Sequence, residues 1–196
     1  AGPGKNADAR VEQAITDGAD GVVTTSPKLV GASLRAAVRH PQVHILNCSM
    51  EMPYASIRTY YTRVYEAKFI TGAIAGAMAG GDRIGYVADY PSFGVPANII
   101  AFALGARMAN PNVRIDLQWT CLPDQIDPLH VFTQKGITVI SGRDAPMPNR
   151  PQREFGTFLV RPGGVLQDLA TPCWHWGQFY ENVIRTGLNG GWVRDK

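Results

Sequence analysis

Apolar and polar positions along the chain switch repeatedly between a helical and a strand-like period. From Asp8 to Asp17 (DARVEQAITD), Val11, Ala14 and Ile15 fall on one helical face and Gly18 closes the run, which predicts a short amphipathic helix. Gly21 to Thr25 (GVVTT) is a β-branched run suited to a buried parallel strand. Ser26-Pro27 then opens a helix through about Arg39, with Ser26 able to cap it and Pro27 suited to its first turn. His40-Pro41 ends that helix, and Val43 to Leu46 makes the next strand.

The second half repeats the rhythm. Glu66 to Gly80 predicts a helix in which Gly72, Ala73, Ala75, Gly76, Ala77 and Ala79 would let another backbone approach closely. Arg83 to Ala88 is a strand, Ala97 to Ala109 an apolar helix, and Val113 to Trp119 another strand. Ile137 to Ser141 and Phe155 to Val160 give two more strands. Trp176, Phe179, Tyr180, Val183 and Ile184 place a helix over Trp174 to Leu188, which Asn189-Gly190-Gly191 ends.

Alternating strands and helices predict an α/β protein with parallel sheets flanked by helices. Two short echoes, AAVRHPQVHIL against ARMANPNVRIDL and DGADGVVTTS against QKGITVISGR, are what two related lobes would leave, or what any doubly wound fold produces by chance. On the two-lobe reading the boundary falls near Ser56 to Thr62, giving an N-terminal lobe over 1–62 and a C-terminal lobe over 63–196.

Composition narrows the function classes. Hydrophobic residues make up 45% of the 196 and charged residues 18%, with a formal charge of +3. The basic residues are scattered rather than striped, which argues against nucleic acid as a partner. No uncharged apolar stretch approaches the roughly 18 residues of a membrane span; Phe69 to Ala79 comes nearest. Cys48, Cys121 and Cys173 lie far apart, form no CxxC motif, and read as free thiols.

Catalytic signatures are missing. His40, His44, His130 and His175 have no metal-ligand spacing, so neither a metal nor a cofactor is expected. The glycines of Ala79 to Gly81 precede a strand, whereas a dinucleotide loop needs them after one. No GxxxxGK[ST] and no GxSxG occurs.

What stands out is polar and aromatic chemistry at the strand ends. Thr25 and Ser26 follow the first strand, Asn47 and Ser49 the second, Asp89 and Phe93 the third, and Arg143 and Asp144 the strand at Ile137. In a doubly wound sheet those ends share one edge, where ligands bind. An aromatic to stack, a carboxylate for hydroxyls and an amide for a ring edge suit a small polar ligand with a flat ring. Each residue also has a local reading: Thr25 and Ser26 as caps, Asp89 as a partner of Arg83 or a turn cap, Phe93 as loop cover, Arg143-Asp144 as a surface pair.

At these residues the sequence resembles a known family. YEAKFITGAIAGAMAGGDRIGYVADYP followed by AFALGARMANPNVRI is similar to the heart of the basic membrane protein (BMP) family, purine-nucleoside-binding lipoproteins and related regulators of the type I periplasmic-binding fold. The matching features are Tyr65-Glu66, Ala75-Gly76, Arg83-Ile84-Gly85, and Gly105 through Asn110-Pro111. The ending WHWGQFYENVIRTGLNGGW resembles a branch of the family with a Trp-Gly-x-Phe-Tyr helix.

The resemblance implies two lobes closing on a ligand in the cleft between them. It also implies that this chain starts after the family's opening strand and stops before its closing strands, which leaves the first lobe incomplete. Nucleoside binders tend to carry an acidic residue where this chain has Asn47. The expected function is non-enzymatic binding of a nucleoside-like molecule. Its output would be delivery to an ABC-type permease outside the cytoplasm, or a signal to an attached regulatory domain, in the cytoplasm if the protein is a regulator. The rival readings are an enzyme using Asp89, Asp144 or His175 as base, and an interaction domain with a vestigial cleft.

Overall fold

The computed structural model describes residues 3–49, 56–91, 94–122, 126–144 and 156–191. They divide into two compact units, Ala1–Thr62 with His175–Lys196, and Arg63–Trp174. The last helix therefore groups with the first unit, whereas the sequence reading assigned it to a lobe running over 63–196.

In the first unit, α1 (Pro3–Thr16) leads into β1 (Gly21–Thr24), a 3-10 turn over Pro27–Leu29, and α2 (Val30–Arg39). Strands β2 (His44–Cys48) and β3 (Arg58–Tyr60) complete a parallel three-stranded sheet ordered β1-β2-β3. The centre of β2 is buried, as a strand flanked on both sides must be. Val11, Ala36, Ala37, Val43, Ile45 and Ile57 form the core between helices and sheet. At the surface, Arg35 forks onto Asp8, and Arg39 and His40 share Glu12. These contacts hold α1 against α2.

The second unit begins with α3 (Val64–Met78) and continues through β4 (Arg83–Ala88), α4 (Val95–Ala109), β5 (Arg114–Trp119), α5 (Pro128–Gln134) and β6 (Val139–Ser141). Strands β7 (Thr157–Val160) and β8 (Leu166–Ala170) follow. The sheet order is β5-β4-β6-β7-β8; β4 runs parallel to both its neighbours, and β7 and β8 add antiparallel. Strand β4 is buried on both faces. Ile84, Tyr86 and Ala88 pack toward Ala75, Phe102 and Ala106 of the two long helices, while Val87 packs with Phe132, Ile137 and Ile140.

The two long helices approach each other through glycine. A Cβ at Gly72 would meet the Phe102 carbonyl, one at Gly76 the Ala106 carbonyl, and one at Gly105 the Phe69 carbonyl. The small-residue run in the sequence is this contact. Strands β3 and β8 and helix α5 were not expected. Helix α5 is a seven-residue helix started by Asp127, whose carboxylate accepts from the Leu129 amide, and by Pro128 in its first turn.

Candidate functional site

In the first unit the strand ends are knit together. Asn47 is fully buried at 0% exposure, and its Nδ2 donates to Thr24 Oγ1 at 2.7 Å and to the Ser26 carbonyl at 3.0 Å. Thr24 in turn donates to the Leu46 carbonyl and lies 2.9 Å from Ser33 Oγ. The Asn47 amide thus fastens the end of β1 to the end of β2. Its Oδ1 and the Ser49 hydroxyl are buried without a protein partner among the described residues. Ser26 accepts from the Lys28 amide at 3.3 Å and caps the 3-10 turn, while Thr25 is exposed.

Beside them, Tyr60 carries a small aromatic cluster. Its hydroxyl lies 2.9 Å from that of Tyr180 and 3.5 Å from the Thr24 carbonyl, and its ring contacts Trp176 and Phe179. Burial and the Tyr180 hydrogen bond push the Tyr60 hydroxyl far above its usual range, so it stays a neutral donor and acceptor. Burial likewise raises the neighbouring Cys48 thiol, which keeps it un-ionised and unreactive.

In the second unit, the exits of β4 and β6 lie side by side where the chain order reverses. Strand β4 feeds α4 toward one flank of the sheet, and β6 sits on the other flank of β4. In open α/β sheets such a switch point is where ligands bind. Two polar groups converge there. Asp89, after β4, pairs with Arg143, after β6, and both contact the Thr120 hydroxyl at the end of β5. Their side chains are 15% and 19% exposed, so the pair is reachable from solvent.

Beneath that pair lies a second one. Lys68 of α3 sets its ammonium 2.9 Å from Asp144 Oδ1, with the two side chains 1% and 6% exposed. Lys68 also donates to Ser141 Oγ at 3.1 Å and sits 5.0 Å above the Tyr86 ring. The Tyr86 hydroxyl donates to the same Asp144 oxygen at 2.7 Å. Burial, then the Asp144 charge, pushes the Tyr86 hydroxyl well above the tyrosine range, so it donates as a neutral phenol. Asp144 Oδ2 and Thr157 Oγ1 are buried without protein partners among the described residues.

Residues 6–121 match the model of the Bmp family, ABC transporter substrate-binding protein PnrA-like. The chain belongs to this family. TsgA13 of Haloferax volcanii, whose name assigns it glucose binding for an ABC transporter, is 28% identical over 69% of this chain and 38% of its own length. A purine-binding protein of Brucella abortus is 26% identical over 96% of this chain and 57% of its own. The chain thus spans well under two thirds of the length of these curated relatives.

Solved structures show the same fold at low identity. An ABC transporter solute-binding protein from Conexibacter woesei superposes with a TM-score of 0.55 at 18% identity, over 76% of this chain and 50% of that one. A transcriptional activator of the comK gene from Bacillus halodurans gives 0.58 at 16%, over 71% and 50%.

Of the residues singled out in the Bmp sequence, the structure gathers Thr25, Ser26, Asn47 and Ser49 at one strand edge, and Asp89, Arg143 and Asp144 at another. Phe93 lies outside the described residues. Asp89 pairs with Arg143, not with Arg83, which instead forks onto Asp116. Arg143 and Asp144 are adjacent but face different partners, so they are not a local ion pair.

Sequence reasoning missed Lys68 and Tyr86. Lys68 shares the buried face of α3 with Thr71, Gly72, Ala75 and Gly76, a helical phase at which a lysine must find a buried partner. That phase was legible; the identity of the partner was not. Among the described residues no group of three His, Cys, Asp or Glu is placed to hold a metal, and no helix is long and apolar enough to cross a membrane.

Proposed function

We propose that this Bmp-family chain binds a nucleoside, or a similar neutral polyhydroxylated molecule, and releases it unchanged to an ABC permease. The observation that carries the reading is the Asp89–Arg143 pair at the switch point of the second sheet, next in sequence to Asp144, one of whose oxygens has no hydrogen-bond partner among the described residues. Carboxylate oxygens accept from hydroxyls, and a guanidinium donates to ring or carbonyl acceptors. Both carboxylates already face a cation, so the edge carries no unbalanced charge and suits an uncharged ligand.

The names of the relatives support this breadth: one is called purine-binding and the other glucose-binding. A ribose and a hexose present the same kind of vicinal hydroxyls to a carboxylate. In the first unit, the Asn47 Oδ1 and Ser49 hydroxyl are further polar atoms without partners among the described residues. The same reading places the protein outside the cytoplasm, in the periplasm or lipid-anchored at the cell surface.

Thermal denaturation in the presence of adenosine, guanosine, inosine, their bases and glucose tests the proposal. A ligand at about 100 times its dissociation constant adds about 2.7 kcal/mol and raises the melting temperature visibly. A selective rise with nucleosides, with the ligand recovered unmodified, supports nucleoside binding. A rise with glucose alone moves the specificity to sugars, and conversion of the ligand overturns the non-enzymatic reading.

A further inference from the structure

Strand β5 ends the sheet of the second unit, with no strand beyond it among the described residues. The Arg114 amide donates to the Asp82 carbonyl and the Thr120 amide to the Ala88 carbonyl, so the even-numbered residues turn their backbone groups toward β4. Backbone groups alternate along a strand, so Ile115 and Leu117 turn theirs outward. No residue of β5 is fully buried, whereas β4 beside it is buried from Ile84 to Ala88. Native sheets blunt such an edge with proline, a bulge or a covering element. Arg114 to Trp119 holds no proline and pairs with β4 in uninterrupted register. At the opposite edge, by contrast, the pairing of β7 with β8 shifts register between Thr157 and Phe158.

The two faces of the edge carry different chemistry. Ile115 and Leu117 point to the face covered by α4, where they pack on the core. Beside Ile115, α4 presents Ile100 and Leu104, 60% and 58% exposed, and these residues line an apolar groove of about 390 Å³. Arg114 and Asp116 point to the other face. There Arg114 stands in register with Arg83, a like charge already committed to Asp116. Among the described residues Arg114 makes no ion pair. Asp116 Oδ2 accepts from Arg83 alone, which leaves it room for a further donor.

A second, antiparallel copy of β5 answers all of these features at one register. With Ile115 opposite Ile115, the two residues exchange both backbone hydrogen bonds across a two-fold axis normal to the sheet. Arg114 of each copy then lies directly opposite Asp116 of the other, on the same face. Sliding one copy by two residues keeps the hydrogen-bonding parity but sets Arg114 against Arg114 or Asp116 against Asp116, so charge selects the register. The same axis lays the two α4 helices antiparallel on one face of the joined sheet. Ile100 and Leu104 of each copy meet those of the other, and the groove closes. An isologous interface requires this self-complementarity. We propose that two copies of this chain join edge to edge through β5 into one continuous sheet, with reciprocal Arg114–Asp116 pairs fixing the register.

Sedimentation equilibrium of the 196-residue chain tests this. At about 50 μM the expected mass is twice 21.3 kDa, for a dissociation constant of about 1 μM. Leu104→Glu puts a charge into the closed groove and should return the chain to a monomer. Its circular dichroism and melting profile should be kept, because position 104 is exposed. Arg114→Glu sets like charges opposite each other twice and should raise the dissociation constant about tenfold. Within the chain its new carboxylate faces Arg83, so the fold should hold. Amide exchange followed by NMR reads the edge itself. The Ile115 amide should be protected in the wild type and fast in Leu104→Glu, with Asp116, whose amide turns toward β4, protected in both. A folded monomer at that concentration overturns the proposal. So does a dimer that Leu104→Glu leaves intact, an unchanged dissociation constant in Arg114→Glu, or an Ile115 amide that exchanges equally fast in wild type and Leu104→Glu.

Discussion

Lys68 Nζ lies 2.9 Å from Asp144 Oδ1 with both side chains almost wholly withdrawn from water. The pair ties the first helix of the second unit to the loop after β6, across 76 residues of chain. A buried pair of this kind gains little over a well-packed apolar pair, but stranding one partner is costly. Its value here is positional, because it fixes the carboxylate whose second oxygen has no partner among the described residues.

Asp144→Asn and Lys68→Met should therefore each destabilise the protein, by about 3–5 kcal/mol if the remaining charge stays buried. The double variant Lys68→Met with Asp144→Asn should lose much less than the sum of the two. Urea denaturation of the four proteins measures this, and additive losses would show that the two groups do not interact.

At the switch point, Asp89→Asn should lower affinity for the bound ligand by tenfold or more while changing the melting temperature little. Removing one partner of a charged hydrogen bond typically costs about 1.5–3 kcal/mol of interaction. Isothermal titration is the measurement. Equal affinities in the wild type and the variant would remove Asp89 from the site.

Glycine at 105 is where α4 touches the backbone of α3. Gly105→Ala has to push the helices apart, and a loss of about 1–3 kcal/mol is expected for forced overpacking. Gly80→Ala, where an added methyl meets open space, should stay within about 0.5 kcal/mol of wild type. Matched thermal melts of the two variants compare them directly, and a tolerated Gly105→Ala would disprove the close approach.

Asp116 is held below its ordinary value of 3.8 first by the hydrogen bond from Arg83, which outweighs the opposing effect of burial, with Lys135 adding to the lowering. A depressed carboxylate contributes stability that is full above the unfolded value and fades as pH falls through the lower folded one. Asp116→Asn should thus be less stable than wild type at neutral pH, and the gap should close as pH falls below the ordinary carboxylate value and through the lower folded one. A gap independent of pH would mean that the asparagine loses packing rather than charge.

Asn47 faces the Ser26 carbonyl with its donor nitrogen. Asn47→Asp places a carboxylate oxygen there and removes the donation to Thr24 as well. An expected loss of about 1–3 kcal/mol follows from a buried group left without its partner. Chemical denaturation reports it; an unchanged midpoint would mean that the β1–β2 edge does not depend on this amide.

The sequence by itself determined the alternation of strands and helices, the close helix contact foretold by Gly72 and Gly76, and the family signature from Tyr65 to Pro111. These are local or periodic properties, written in neighbouring residues. It also showed that polar residues collect at strand ends. Only the tertiary structure decided which of them meet: Asp89 with Arg143 rather than Arg83, Asp144 with Lys68, and Asn47 with Ser26. Strand β3, three residues long, exists because Leu46 to Cys48 pairs with it. Strand β8 exists because β7 does the same for it. Ion-pair choice and short-strand pairing depend on distances across the fold, and chain spacing alone does not encode them.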